Sequence, residues 1–323
     1  MSVVNKLISP LAIAPMIDWT MTHFRVFMRL IAPNALLYTE MQTVGAVEHA
    51  PEKALSFNAI EQPLALQLGG SDPKKLADSA KRAEKLGFIE VNLNLGCPSG
   101  RVQSGNFGAC LMKSPDLVSD CIKAIKDTVT IPVTAKTRIG IDKQDSYDFF
   151  ANFVQELIDA GCDKLIVHAR KAWLHGLNPK QNRTIPPVQY DYVYRIKEQF
   201  SEYPVVINGN INTLAEIHEH MQSVDGVMLG RLACQNPYAL ALIHRYFYPQ
   251  TMIRPRAEIM TAYLNYAGVQ LEQGVHFSLL LKPLFNFAHG MPYSKRWKAL
   301  LTKAQQTKDF AVLQVAAEVF SES

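Results

Sequence analysis

Eight short β-forming runs recur along this chain through about residue 247, and each is followed by a segment of helical periodicity. The runs are LAIAP (11–15), ALLYTE (35–40), PLALQLG (63–69), IEVNLN (89–94), PVTAKTR (132–138), KLIVHA (164–169), PVVIN (204–208) and DGVMLG (225–230). They are apolar on both faces, as parallel strands covered by helices must be. The intervening helices carry their own signals. Ser71 or Asp72 caps one that has Pro73 in its first turn and ends at Gly87. Ser114-Pro115 opens another with Leu117, Cys121, Ile122 and Ile125 on its apolar face. Helices are also expected over 21–32, over 146–160 (ending at Gly161), over 189–200, after Thr213, and from strand 8 to about Phe247. Eight such repeats predict an α/β fold, a (β/α)8 barrel. A doubly wound sheet is the alternative, but the GxGxxG turn it usually carries is missing after strand 1. The connection 41–62 is long and its helix is poorly marked.

Past Pro249 the β signal stops, and segments 255–273, 276–288, 294–306 and 308–320 all read as helices. Two domains are therefore expected: a barrel over 1–248 and a C-terminal all-helical domain over 249–323, a small bundle. With 48% hydrophobic and 19% charged residues the chain has ample material for such a core. It has no apolar run of about 18 residues that would predict a membrane span. The start, MSVVNKLISP, lacks the charged and apolar regions of a secretion signal. The five cysteines form no CxxC pair, which points to reduced thiols in a cytoplasm and to no zinc site. The net charge is only +4, yet from residue 249 onward eight Lys and Arg stand against five acids, so the tail holds +3 of it. A basic appendage on a near-neutral body suggests a polyanionic partner.

The residues able to do chemistry gather at the carboxyl ends of the strands, the face where barrel active sites lie. Pro15-Met16 follows strand 1, Gln67 ends strand 3, and Asn94 and Cys97 follow strand 4. Lys136 and Arg138 end strand 5, His168 ends strand 6, Asn208-Gly209-Asn210 ends strand 7 and Gly230-Arg231 ends strand 8. The loops after strands 7 and 8 are suited to holding a phosphate, with glycines for close approach and Arg231 to fork onto its oxygens. A buried Lys136 and Arg138 without neighbouring carboxylates call for an anion. Flavin mononucleotide, FMN, satisfies both: its phosphate suits loops 7 and 8, the anionic edge of its reduced ring suits Lys136, and Gln67 could bond the ring. Cys97 sits in LNLGCPSG on a loop with no acid between Gly96 and Pro115. A free thiol is mostly protonated at neutral pH and can act as an acid, whereas nearby cations could instead make it a thiolate nucleophile. The residues alone leave that choice open. Cys110, Cys121 and Cys162 read as structural.

Two basic–aromatic patches stand out. The loop RKAWLHGLNPKQNRTIPP (170–187) carries Arg170, Lys171, Lys180 and Arg183 with Trp173 and no acid. The stretch YSKRWKALL (293–301) sets Lys295, Arg296 and Lys298 around Trp297. Together they read as a track for nucleic acid.

APMIDWT (14–20), QLGG (67–70), LNLGCPS (93–99), FGACLM (107–112), KTRIG (136–140), HARKAWLHGLNPKQNR (168–183), INGNI (207–211) and GR (230–231) resemble the tRNA-dihydrouridine synthases. The likeness is strongest to the group acting on D-loop uridines 20 and 20a. It implies a barrel that carries FMN and uses NADPH (or NADH) to reduce a uracil ring within tRNA. It places Cys97 as the proton donor, with Pro15, Met16, Ile17, Gln67, Lys136, His168, Asn208, Gly209, Asn210, Gly230 and Arg231 at FMN-binding positions. Asn94, Arg138, Lys180, Arg183, Lys295, Arg296 and Lys298 become candidate tRNA contacts. Asn210 replaces a commoner glycine, and asparagine tolerates a left-handed backbone, so the turn is expected to survive. With no dinucleotide-binding turn, the nicotinamide is expected to share the flavin's mouth. A cytoplasmic monomer, without metal or membrane, completes the expectation. Two other readings compete: a barrel reductase of a free pyrimidine or enone, which would not need the basic loop and tail, and a non-catalytic RNA-binding protein, which would be colourless.

Overall fold

The computed structural model describes residues 9–320, so the start that was read for a secretion signal lies largely outside the described residues. Eight parallel strands close into a ring. They are β1 (Leu11–Ile13), β2 (Leu36–Tyr38), β3 (Leu64–Gly69), β4 (Glu90–Leu95), β5 (Val133–Arg138), β6 (Lys164–His168), β7 (Val205–Asn208) and β8 (Gly226–Leu229). Each pairs with the next, and β1 closes the ring against β8 with Ile13 opposite Leu229. Helices α1 (Thr22–Ile31), α2 (Val44–His49), α3 (Pro73–Leu86), α4 (Pro115–Lys126), α5 (Tyr147–Asp159), α6 (Tyr190–Gln199), α7 (Leu214–His220) and α8 (Ala239–Phe247) lie among the connections.

Local chemistry sets these boundaries. The Asp72 carboxylate accepts the Lys75 N–H at 3.0 Å, and Ser146 accepts that of Phe149 at 3.2 Å. Thr213 and Glu216 form a reciprocal capping box on α7. Ser114-Pro115 opens α4 as expected, with the proline in its first turn. One expectation needs correction. The helix expected to run unbroken from strand 8 is two pieces, Arg231–Gln235 and α8, because Asn236 precedes Pro237 and proline excludes the helical conformation from the residue before it.

The poorly marked connection after β2 holds a two-residue strand (Gln42–Thr43), α2, a short helix (Pro51–Ala54) and a 3-10 turn (Ala59–Glu61). Buried polar contacts fix it in place of an amphipathic helix. Glu61, wholly buried, pairs with the Arg25 Nε at 2.5 Å and accepts from the Thr22 hydroxyl and the Asn58 N–H. The buried Arg29 guanidinium donates to the carbonyls of Pro33 (2.6 Å), Ala35 (2.8 Å), Glu61 (2.8 Å) and Pro63 (2.9 Å). Two arginines on α1 therefore secure the entry to β3.

The tail contains α9 (Arg256–Glu272), a short helix Phe277–Leu281, α10 (Ser294–Thr307) and α11 (Phe310–Ala317). It packs on α1. Phe27 lies edge-on to Tyr263 and to Phe287, each at 5.0 Å, and His23 Nδ1 is 2.7 Å from the Tyr266 hydroxyl. Trp297 corrects the sequence reading, for it is no surface aromatic between cations. It is fully buried, donates Nε1–H to the Leu284 carbonyl at 2.9 Å and meets Phe320 at 4.9 Å. Among the described residues no helix is long and apolar enough to cross a membrane, and no group of His, Cys, Asp and Glu is arranged to hold a metal ion.

Replacing Glu61 by Gln leaves the buried Arg25 charge unpaired. Unfolding free energy from urea titration is expected to drop by about 3 kcal/mol, the range for removing one partner of a buried ion pair.

Candidate active site

In a closed ring, alternate residues of every strand face the axis. Ala12, Ala14, Leu36, Tyr38, Ala65, Ile166, Val206 and Met228 form an apolar plug there, with Met16 packed on it. Polar residues take the same alternation on the strands between β3 and β7. Register sets Gln67 opposite Asn92, Asn94 opposite Lys136, Arg138 opposite His168 and His168 opposite Asn208. The expected site residues of five adjacent strands thus meet at one rim.

The Cys97 loop leaves β4 at this rim. Asn94 Oδ1 accepts the N–H of Cys97 at 3.0 Å and of Gly96 at 3.2 Å. The Cys97 carbonyl accepts the Ala109 N–H at 2.9 Å. That return is possible because Gly108 has φ +79°, and a Cβ there would lie 2.6 Å from the Cys97 oxygen. Cys97 Sγ lies 3.6 Å from the Ser99 hydroxyl and close enough to Lys136, Arg138 and Arg183 to interact electrostatically with each.

Lys136 keeps some accessible area toward the open axis, but protein surrounds it otherwise. Burial, reinforced by the Arg138 charge and opposed by the Cys97 sulfur, draws its ammonium pKa down to about 7. Burial and four cations (Arg138, Lys136, Arg170 and Arg231) push His168 well below the usual imidazole range, so it is neutral at neutral pH. Among the described residues none of Lys136, Arg138, Arg170, Arg183 and Arg231 forms an ion pair. Glu40, just past the end of β2, is itself pushed up by burial, and its Oε1 is buried without a partner. Cations gathered without countercharge favour an anionic occupant.

The loops after β7 and β8 form one wall. Asn208 Nδ2 donates to the Met228 carbonyl at 2.7 Å. Gly209 has φ +122°, and a Cβ there would meet His168 Cδ2 at 2.8 Å. Asn210 adopts the left-handed conformation at φ +57°, so the turn does survive its substitution, and its Oδ1 accepts from Arg231 at 3.1 Å. Gly230 stands at the N-terminus of the short helix Arg231–Gln235. Pro15 and Met16 are half-buried at the end of β1, whereas Ile17 is 53% exposed beyond them.

Two of the expected RNA contacts also hold the loops around them. Arg138 is 3% exposed, and its guanidinium donates to the carbonyls of Gly96 (2.9 Å), Lys171 (3.0 Å) and Asn182 (3.0 Å). It ties the Cys97 loop to the loop over the mouth. Asn94, 9% exposed, uses its oxygen on the Cys97 loop and its Nδ2 on Gln67 Oε1 at 2.8 Å. By contrast Lys180 and Arg183 are exposed over the mouth, and Lys295, Arg296 and Lys298 are exposed on α10. The sequence reading missed the buried partners of these amides, although Glu90, Asn92 and Asn94 at alternate positions of one buried strand were a visible signal.

A closed parallel barrel with its polar, cationic residues collected at the carboxyl rim is the architecture of (β/α)8 enzymes. The Dihydrouridine synthase (Dus) family model matches residues 12–322. A tRNA-dihydrouridine(20/20a) synthase of Shewanella oneidensis is 48% identical over 293 residues, covering 90% of this chain and 88% of that one. Enzymes of the same name from Pasteurella multocida and Synechocystis sp. are also 48% identical, over 90% and 91% of this chain and 90% and 89% of theirs. This chain belongs to the dihydrouridine synthase family. Among solved structures, morphinone reductase shares the fold at a TM-score of 0.50 and 12% identity, covering 77% of this chain and 88% of that one. Its complex with tetrahydroNAD aligns at 0.51, again with 12% identity, over 77% and 89%.

Arg138→Met should free both loops that the guanidinium holds. Tryptic cleavage of the folded protein after Lys171, Lys180 or Arg183 is expected to accelerate several-fold, on the order of 1 kcal/mol of local opening. Lys295→Ala should leave that rate unchanged.

Proposed function

We propose that this chain reduces uridine to 5,6-dihydrouridine in the D-loop of tRNA, at positions 20 and 20a, with FMN as resident cofactor and NADPH (or NADH) as reductant. The observation that carries this reading is a thiol, Cys97, set among the unpaired cations Lys136, Arg138 and Arg183 at the rim of the barrel. The names of the 48%-identical relatives support the substrate.

The residues present fit FMN. Gly209 brings its loop against the His168 ring, Gly230 is uncrowded at a helix start, and Arg231, already oriented by Asn210, would fork onto phosphate oxygens there. Lys136 would face the anionic edge of the ring, Gln67 would offer an amide hydrogen, and Pro15, Met16, Ile17 and Asn208 would line the cavity. Bound FMN would supply the hydride that adds to C6 of the uracil. The chain's own task is the second half of the reduction. As negative charge gathers on C5 and O4, the Cys97 S–H transfers its proton to C5, and the thiolate left behind takes a proton from solvent. Lys136 and Arg183 stabilise that thiolate. Arg138 and Asn94 hold the loop carrying it. The uridine must leave its stack to enter the mouth. Lys180 and Arg183, with Lys295, Arg296 and Lys298 on the tail, would grip the RNA backbone, which makes residues 249–323 the RNA-binding unit beside a catalytic barrel over 1–248. The reaction belongs to the cytoplasm and needs one copy of the chain.

Cys97→Ala is expected to retain FMN and tRNA binding yet lose at least about a hundredfold in turnover, the scale of a general acid. Mass mapping of dihydrouridine in unmodified tRNA incubated with the purified protein measures it, and wild-type turnover would overturn the acid role.

The Lys136 ammonium gives a pH signature. Its pKa falls from 10.5 in the open chain to about 7 in the folded protein, so the unfolded state binds more protons between those values. Stability of the FMN-free protein should rise as pH climbs from about 7 toward 10.5, and be insensitive to this group below 7. An anion needs the charged form. Affinity for reduced FMN, followed anaerobically by flavin absorbance, should therefore weaken as pH rises above about 7, and Lys136→Met should bind more weakly at low pH and lose that slope.

A further inference from the structure

A chain of side-chain hydrogen bonds runs through the barrel interior from its floor to the Cys97 loop. At the amino ends of β4 and β6, Lys164 Nζ lies 2.5 Å from Glu90 Oε2. Glu90 Oε1 accepts from the Tyr38 hydroxyl at 2.5 Å and from the Thr134 hydroxyl at 2.6 Å. Thr134 Oγ1 accepts from Asn92 Nδ2 at 2.9 Å, and Asn92 Oδ1 accepts from Gln67 Nε2 at 2.8 Å. Gln67 Oε1 accepts from Asn94 Nδ2 at 2.8 Å, and Asn94 Oδ1 accepts the Cys97 N–H at 3.0 Å. Thr134 and Asn92 are fully buried and Gln67 is 1% exposed, so water offers no alternative partner.

The polarity of this chain is determined at both ends. A carboxylate held by an ammonium can only accept, so the single Thr134 hydrogen goes to Glu90 and its oxygen must accept from an amide nitrogen. A peptide N–H can only donate, so the oxygen of Asn94 must face Cys97. Between these anchors only one orientation of the three amides satisfies every bond. Reversing any one of them breaks two bonds at once in a place without water. The floor of the barrel and the Cys97 N–H thereby impose the same orientation on Gln67 and Asn94, each reinforcing the other. This leaves the second Nε2 hydrogen of Gln67 uncommitted.

We infer that Glu90, Thr134 and Asn92 are positioning residues for the reduction. They act through Gln67 and Asn94 to set the Cys97 loop, without touching the substrate. This rests on the reading of Cys97 as the proton donor. Their role differs from general packing, because Tyr38 bonds the same Glu90 oxygen from outside the chain. Losing its hydroxyl weakens the floor and leaves the polarity of the amides intact.

The test compares Thr134→Val, Thr134→Ser and Tyr38→Phe in the FMN-loaded full-length protein, with Cys97→Ala alongside. Two quantities are read: kcat and KM for dihydrouridine formation in tRNA, and the iodoacetamide alkylation rate of the Cys97 peptide by mass spectrometry, with and without FMN. Thr134→Val is expected to lower kcat about tenfold, the scale of a small misplacement, with KM for tRNA near wild type. It should also change the Cys97 alkylation rate by about twofold or more. Thr134→Ser should restore both, and Tyr38→Phe should resemble wild type. If Thr134→Val is insoluble, Thr134→Ala is read in the same way. Wild-type kcat and alkylation in Thr134→Val would overturn the inference, as would equal damage in Tyr38→Phe. Wild-type turnover in Cys97→Ala would instead overturn the reading of the site, and the alkylation rate would still decide whether Thr134 orders the loop.

Discussion

Closing eight parallel strands into a ring puts alternate side chains of every strand onto one axis, and everything at the rim inherits its position from that geometry. The pairings Asn94 with Lys136, Arg138 with His168, and His168 with Asn208 follow from a register that both neighbours of each strand enforce. A slip by one residue would turn every one of these groups into the surrounding helices. An apolar plug drawn from β1, β2, β3, β6, β7 and β8 then lies beside a chain of polar contacts on β3, β4 and β5.

Two lysines show how position along the same axis changes a residue's task. Lys164, at the amino end of β6, is matched by Glu90, which Tyr38 and Thr134 also hold, and works as an anchor. Lys136, at the carboxyl end of β5, has no acid partner, and burial brings its pKa to about 7. The rim is thus destabilising to itself until an anion arrives, which is how binding sites come to differ from the core that supports them. Arg138 belongs to neither class. It faces the rim yet donates to three backbone carbonyls, so its charge contributes to the field while its hydrogen bonds hold loops.

Much of this was legible in the residue order. Strand and helix alternation, the carboxyl-end clustering, and the thiol between Gly96 and Pro98 all read directly, because periodicity and turn chemistry are local. The Glu61 contacts with Arg25 and Thr22 were not, since their partners lie 36 and 39 residues away. Trp297 was misread because three adjacent cations made it resemble a surface aromatic. A helix buries one residue in three or four, and here the buried face is the tryptophan's. Asn94 was expected among the RNA contacts, but its bonds to Gln67 and to the Cys97 N–H did not read from the residue order.

The linear sequence by itself determined the eightfold repeat, the helical tail, the basic character of that tail and the residues from which a reductive site could be built, because each depends on neighbours within a few positions. Only the tertiary structure decided which of those residues face a ligand and which hold the others. That decision rests on partners such as Glu90, Lys164, Gly96 and Asn182, brought together by ring closure across separations of 42 to 74 residues, where no local pattern reaches.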